Sequence, residues 1–217
     1  MKRIMFVTIL LLAGLNVFSQ EAFIDQLTGT VEIKQPNENS FKAANKGDKL
    51  FKETVLSTSF KSFAIIKIGS TTITIRPLTT LSLTEIQKQE NLETVNVNLQ
   101  TGRVRVDVKP PVGTKAATTL TSPSTTASVR GTSFEFDATN LYVNEGSVSF
   151  VGNKGQTILV REGENSRVEH TGQVTTPRNE RNTNLLPPSP IGTSEKDTPV
   201  SGAVITNMPF TFELEFN

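Results

Sequence analysis

Few side chains in this sequence have the type and spacing that chemistry needs. His170 is the single histidine and cysteine is absent. A Ser-His-Asp relay would have to run through His170, and no nucleophile elbow accompanies it. A transition-metal centre would need further His or Cys ligands. Glu162 and Glu164 would share one face of an extended segment. Such a pair could hold calcium weakly or work on a glycosidic bond, but a solvated face is its commoner use. Arg103 and Arg105 share a face by the same spacing and suit pairing with acidic groups across a strand; as an anion site they are a weak signal. The glycines make no phosphate loop, because none precedes a helical stretch. The expectation is a protein without a catalytic site, a cofactor or a metal centre.

The elements that must position these residues are strands. Thr, Ser and Asn are plentiful, and the apolar set is rich in Val, Ile and Phe, which favour strands over helices. Val104, Val106 and Val108 alternate with Arg103, Arg105 and Asp107. Val95, Val97 and Leu99 alternate with Asn96 and Asn98, and Ile73 and Ile75 with Thr72, Thr74 and Arg76. Each pattern sends one apolar face inward and one polar face out. Ile65 to Ile68, Gly69-Ser70 and Ile73 to Ile75 predict a hairpin, and Asn153-Lys154-Gly155 predicts a turn. Glu85 to Asn91 is polar and reads as a loop tip or one short helical turn. Gly29-Thr30-Val31, Gly102-Arg103-Val104 and Gly146-Ser147-Val148 form a weak internal repeat, a glycine turn opening each alternating run. It favours a stacked strand-and-turn architecture; the plainer reading is a common way to begin a strand.

Lys2 and Arg3 precede a short apolar run from Ile4 to Leu15, with Val17 and Ser19 small enough for the cleavage site. Residues 1–19 are therefore expected to be a secretory signal, since the run is shorter than the ~20 residues of a membrane span. No later stretch is apolar enough to span. The chain has 22 basic and 21 acidic residues; without Lys2 and Arg3 the balance is 20 to 21, near −1. A near-neutral chain has no basic face for nucleic acid. Residues 20–170 are expected to form one β domain and 171–199 a Pro-broken, disordered linker. In 200–217, Phe210, Phe212, Leu214 and Phe216 alternate with polar residues as a C-terminal strand. That strand is expected to dock on the chain's own sheet, with a partner protein as the next choice.

The most specific stretch runs Thr121-Ser122-Pro123-Ser124-Thr125-Thr126-Ala127-Ser128-Val129-Arg130-Gly131-Thr132-Ser133-Phe134-Glu135-Phe136. Other motifs flank it in order: Gly47-Asp48-Lys49-Leu50, then Thr58, Ser62, Ala64 and Ile66, then Ile75-Arg76-Pro77-Leu78-Thr79-Thr80-Leu81, and Asn144-Glu145-Gly146-Ser147-Val148. Together, from Gly29 to Val168, they resemble the FecR family's periplasmic domain. The residues carrying the resemblance, Val129, Arg130, Gly131, Thr132, Phe134, Glu145 and Gly146, are read as architectural. Gly131 would permit a backbone conformation closed to other residues, and the Arg130 fork would satisfy buried carbonyls or a carboxylate.

The resemblance implies an all-β fold, a solenoid-like or rolled antiparallel sheet. Family members that regulate sigma factors carry a cytoplasmic helical segment and a membrane helix. Nothing here is similar to those, so the expectation is a free-standing FecR-like domain. The expected function is a non-catalytic envelope module for protein interaction, scaffolding or signalling, exported to the periplasm or beyond, with an envelope protein as partner. An all-β carbohydrate- or surface-binding adhesin is the alternative; the absence of Trp and a lone Tyr142 count against it.

Overall fold

The structure, a computed structural model, describes residues 22–179. The expected signal at 1–19, residues 180–199 of the expected linker and the C-terminal strand at 200–217 lie outside the described residues.

The described residues hold strands and no helix. In chain order they are β1 (Ala22–Thr28), β2 (Val31–Lys34), β3 (Lys42–Ala43), β4 (Lys49–Leu50), β5 (Val55–Thr58) and β6 (Phe63–Ile68). Then come β7 (Thr71–Ile75), β8 (Thr80–Gln89), β9 (Leu92–Thr101), β10 (Val104–Val108), β11 (Lys115–Thr121) and β12 (Thr125–Val129). The last six are β13 (Ser133–Phe136), β14 (Asn140–Glu145), β15 (Ser147–Gly152), β16 (Thr157–Arg161), β17 (Glu164–Arg167) and β18 (Arg178–Asn179). They make two open nine-stranded sheets: the first ordered β18-β17-β14-β13-β10-β7-β6-β1-β4, the second β16-β15-β12-β11-β9-β8-β5-β2-β3.

Period two decides which side chains meet. Val95, Val97 and Leu99 of β9 and Val104 and Val106 of β10 are buried in one core. Phe134 and Phe136 of β13 join it, and the Phe136 ring meets Phe150 of β15 edge-on at 6.3 Å. Because β13 belongs to the first sheet and β15 to the second, this contact ties the sheets together. Each fully buried side chain of this size stabilises by about 1.5–3 kcal/mol.

After β5 the chain lays down hairpins alternately in the two sheets: β6–β7, β8–β9, β11–β12, β13–β14, β15–β16 and β17–β18. Only β10 crosses alone. A crossing reverses the chain, so neighbours with two strands between them run antiparallel. One strand between β9 and β11 makes them parallel, with Lys115 opposite Leu92 and Thr121 opposite Asn98. The expected sheet was antiparallel throughout; this pair departs from it because β10 has no hairpin mate.

Three further differences have local causes. Glu85 to Asn91 is neither a loop nor a helical turn, because β8 and β9 stay paired out to Gln89 opposite Leu92, leaving the turn at Glu90-Asn91. Residues 171–179, expected to begin the linker, are instead tied to the domain at particular points. Val174 is buried in the core and bridges to Val168, while β18 pairs with β17. Glu162 and Glu164 do not share a strand face, since Gly163 turns the chain between them at φ +74.

The repeated glycines stand at crossings between the sheets. Gly102, at φ +89, lies so close to Thr79 that an added Cβ would fall 2.5 Å from its Cα. The Thr79 hydroxyl accepts from the Arg103 N–H at 3.0 Å and donates to the Arg103 carbonyl at 3.1 Å. The same pairing recurs at the first crossing, where the Thr30 N–H donates to Ser62 Oγ at 2.8 Å beside Gly29.

Glu93 joins the two sheets at the opposite end. Its Oε2 accepts from the Ser70 N–H at 2.8 Å and the Ser70 hydroxyl at 2.6 Å. Burial pushes the carboxyl up, but the Ser70 bonds and Lys88 outweigh it and hold the pKa below the ordinary Glu value. A lowered folded pKa contributes stability above the unfolded carboxylate value and loses it as pH falls through the folded one. Glu93→Ala is expected to cost about 1–3 kcal/mol in urea denaturation at pH 7 and less under acid; an equal cost at both would refute the coupling.

Candidate functional site

Two outward faces carry the side chains that matter. On the first sheet, Val104, Val106 and Val108 point to the core, so Arg105 and Asp107 point out. On β13, Phe134 and Phe136 point in, so Ser133 and Glu135 point out. The register sets Arg105 against Glu135 and Asp107 against Ser133. Arg105 Nε lies 3.2 Å from Asp107 Oδ2, and the Ser133 hydroxyl donates to Asp107 Oδ1 at 2.6 Å. Glu135 Oε1 stands 3.8 Å from both Arg76 Nη2 and Arg105 Nη1.

This network is outward yet largely dry: Arg76 is 3% exposed and Glu135 8%. Burial raises the Glu135 pKa above the ordinary value, against the opposing pull of Arg76, Arg105 and Arg103. Burial lowers that of Arg76, with Glu135 opposing. These charges stand on β10, on β13 and just after β7, and so link neighbouring strands of the first sheet. Arg105 thus finds the acidic neighbours expected of it. Neither Arg76 nor Glu135 stands out from its motif by residue type alone; the sequence signal for Glu135 is its place between two core phenylalanines.

On the second sheet, the outward face of β11, β12, β15 and β16 forms a shallow groove of about 420 Å³. Thr119, Ser128 and Ser149 make a floor of small polar side chains, with Arg130, Ser147 and Leu159 around it. The register runs Thr119 to Ser128, Ser128 to Ser149 and Ser149 to Leu159, one lateral row across four strands. Leu159 is 46% exposed.

The motif residues divide between core and groove. Val129 and Phe134 are buried, as is Thr132. Gly131 has φ +63, and a Cβ there would have only Pro110 Cδ near it, at 3.9 Å, so its need is conformational and not steric. Gly146, at φ +84, would meet Thr132 Cγ2 at 2.6 Å, which brings the two motif segments into contact. Glu145 is exposed opposite Ser133. Arg130 is the correction. Val129 takes the inward position, so Arg130 turns out to solvent at the groove, with no hydrogen bond or ion pair among the described residues. The buried guanidinium facing a carboxylate belongs to Arg76 instead.

His170 is exposed, and Glu164 spends its Oε2 on the Arg161 N–H at 2.8 Å. No group of three or more His, Cys, Asp or Glu is placed to hold a metal ion among the described residues.

No curated protein matches the chain. Two crystal structures of a protein from Parabacteroides distasonis, described as a candidate anti-sigma factor, are similar to it at 15% identity. Each similarity covers 58% of this chain and 59% of the other, with TM-scores of 0.48 and 0.47. The chain thus spans about three-fifths of the length of the solved structures it matches. The family model described as FecR protein matches residues 54–149, from the residue before β5 into β15, a span that includes Arg76, Arg130, Glu135 and Glu145. The chain carries a FecR domain.

Proposed function

We propose that this is a non-catalytic envelope protein whose FecR domain holds a protein partner, as an interaction, scaffold or signalling module. The observation that carries this reading is the groove, which lies within the matched segment except for Leu159 and where Arg130 of the motif stands exposed and unengaged. Arg76, by contrast, is drawn into a buried network. From β6 onward in the first sheet and from β5 onward in the second, strand order follows chain order, which supports reading the domain as a rolled, solenoid-like scaffold on which short corners can vary while the sheets stay fixed. Export to the periplasm or beyond is part of the proposal. It rests on Lys2, Arg3 and the apolar run to Leu15.

The test is retention from a native envelope extract by the immobilised mature chain. A protein retained at physiological salt is the expected result. Retention of glycan in its place would overturn the reading and favour an adhesin. Mass spectrometry of exported material should find an N-terminus near Gln20; Met1 retained in the membrane fraction would contradict export with cleavage.

A further inference from the structure

The groove on the second sheet lies against an open sheet edge. Among the described residues, β16 has β15 as its only strand neighbour. The Glu162 N–H donates to the Gly146 carbonyl at 2.9 Å and the Gly152 N–H to the Gln156 carbonyl at 3.1 Å. In an antiparallel ladder these bonds recur at every second pair. The intervening bonded pairs are therefore Val148 with Val160 and Phe150 with Ile158. Thr157, Leu159 and Arg161 turn their backbone N–H and C=O groups away from β15. Glu164 closes the Arg161 N–H, which leaves Thr157 and Leu159 as the open donor and acceptor positions, with Leu159 at the centre of the edge. An edge with this geometry is a template for another strand.

Charge says what kind of strand. Arg161 lies opposite Ser147 across β15–β16, and Arg130 follows Val129, which lies opposite Val148. Arg130, Ser147 and Arg161 therefore form one lateral row. Two strand spacings put the arginine backbones about 10 Å apart. Neither guanidinium makes an ion pair or hydrogen bond among the described residues, and both residues are exposed. The carboxylates in the adjoining corners are Glu145 and Glu162, both exposed, and Glu164, engaged with the Arg161 backbone.

We infer that the groove and the β16 edge together receive an extended acidic segment of a protein partner. The segment adds to the sheet at Leu159 through its backbone and sets its carboxylates on Arg130 and Arg161. Main-chain bonds give such a complex its affinity and the side-chain contacts its selectivity. The small hydroxyl floor of Thr119, Ser128 and Ser149 lets a backbone or short side chain approach closely. This inference rests on the reading of the domain as a protein-interaction module and specifies the surface and the chemistry of what it binds.

The test uses the full mature chain and a fluorescent eight-residue peptide alternating Thr and Glu, read by anisotropy. Binding is expected at low salt, weakening as salt rises. Replacing the peptide's Glu by Gln, or making R130Q with R161Q in the protein, is expected to weaken it about tenfold or more. Lys61→Gln, remote from the groove at the corner between β5 and β6, should change nothing. Both arginines are exposed, so melting temperature should stay constant and folding cannot account for a loss. Amide exchange supplies the backbone reading: peptide should protect Leu159 and leave the β6–β7 turn unchanged. Failure of the acidic peptide to bind, equal binding of the Gln peptide, or protection elsewhere than β16 would overturn the inference. Repeating the envelope retention with R130Q/R161Q separates the two claims. A partner held equally by wild type and variant removes the groove and keeps the interaction module; no partner held by either removes the module itself.

Discussion

Gly102→Ala is expected to destabilise the domain by more than about 3 kcal/mol. Two independent costs add. The residue sits at φ +89, where an L side chain is strained by about 1–3 kcal/mol. The new Cβ would also fall 2.5 Å from Thr79 Cα and 2.6 Å from the Leu78 carbonyl oxygen, backbone atoms that cannot swing aside. Relief would require the β7–β8 and β9–β10 crossings to separate, breaking the Thr79–Arg103 bonds that join them. Gly131→Ala is the control. It has φ +63 with open space around the Cβ, so it should show the strain cost alone, about 1–3 kcal/mol. Urea denaturation of both variants decides. Equal losses at the two sites would mean that overlap at Gly102 is relieved cheaply and that the crossing is not the rigid joint described here.

The second large effect is expected at Arg76. Arg76→Ala leaves Glu135 buried with Arg105 as its remaining close cation, and removing one partner of a buried pair costs about 3–5 kcal/mol. It also removes the Arg76 interaction that, among charged neighbours, most opposes the burial-driven rise in the Glu135 pKa, so that pKa should climb further. The sign follows from linkage. A carboxyl whose folded pKa exceeds the unfolded one favours the fold below the unfolded value and loses that advantage as pH rises through the folded value. The Arg76→Ala deficit should therefore be larger at pH 7 than at pH 4. Arg76→Met with Glu135→Leu removes both charges and should recover most of the loss. A double variant as unstable as the single one would show that Arg76 acts through other contacts and not mainly through Glu135.

These two sites show what the sequence could and could not reveal. Strand faces were legible wherever Val, Ile or Leu alternates with polar residues, as in β9 and β10, because period two is a local property. The direction of β9 against β11 was not, since it depends on how many strands intervene and hence on β10 lacking a hairpin mate. The attachment of 171–179 was missed because Val174 is a single apolar residue in a polar stretch. The buried role expected of Arg130 conflicts with its own neighbour: with Val129 pointing in, the next residue of an extended segment points out. Glu135 posed the converse difficulty. Alternation sends it outward correctly, but only the lateral register, which brings it opposite Arg105 and near Arg76, makes that outward position dry.

Carbohydrate or surface binding would use the same exposed sheet without the arginine row, so a probe in the groove separates the two modes of binding. The most direct measurement is site-specific photocrosslinking of the full chain in its native envelope. The probe replaces Ser149 on the groove floor, or Ser57 of β5, on the same outward face but far along the sheet. A crosslink to a protein is expected from position 149, lost in the R130Q/R161Q background, with none from position 57. Crosslinks of equal yield from both positions, or from 57 alone, would contradict docking at the groove.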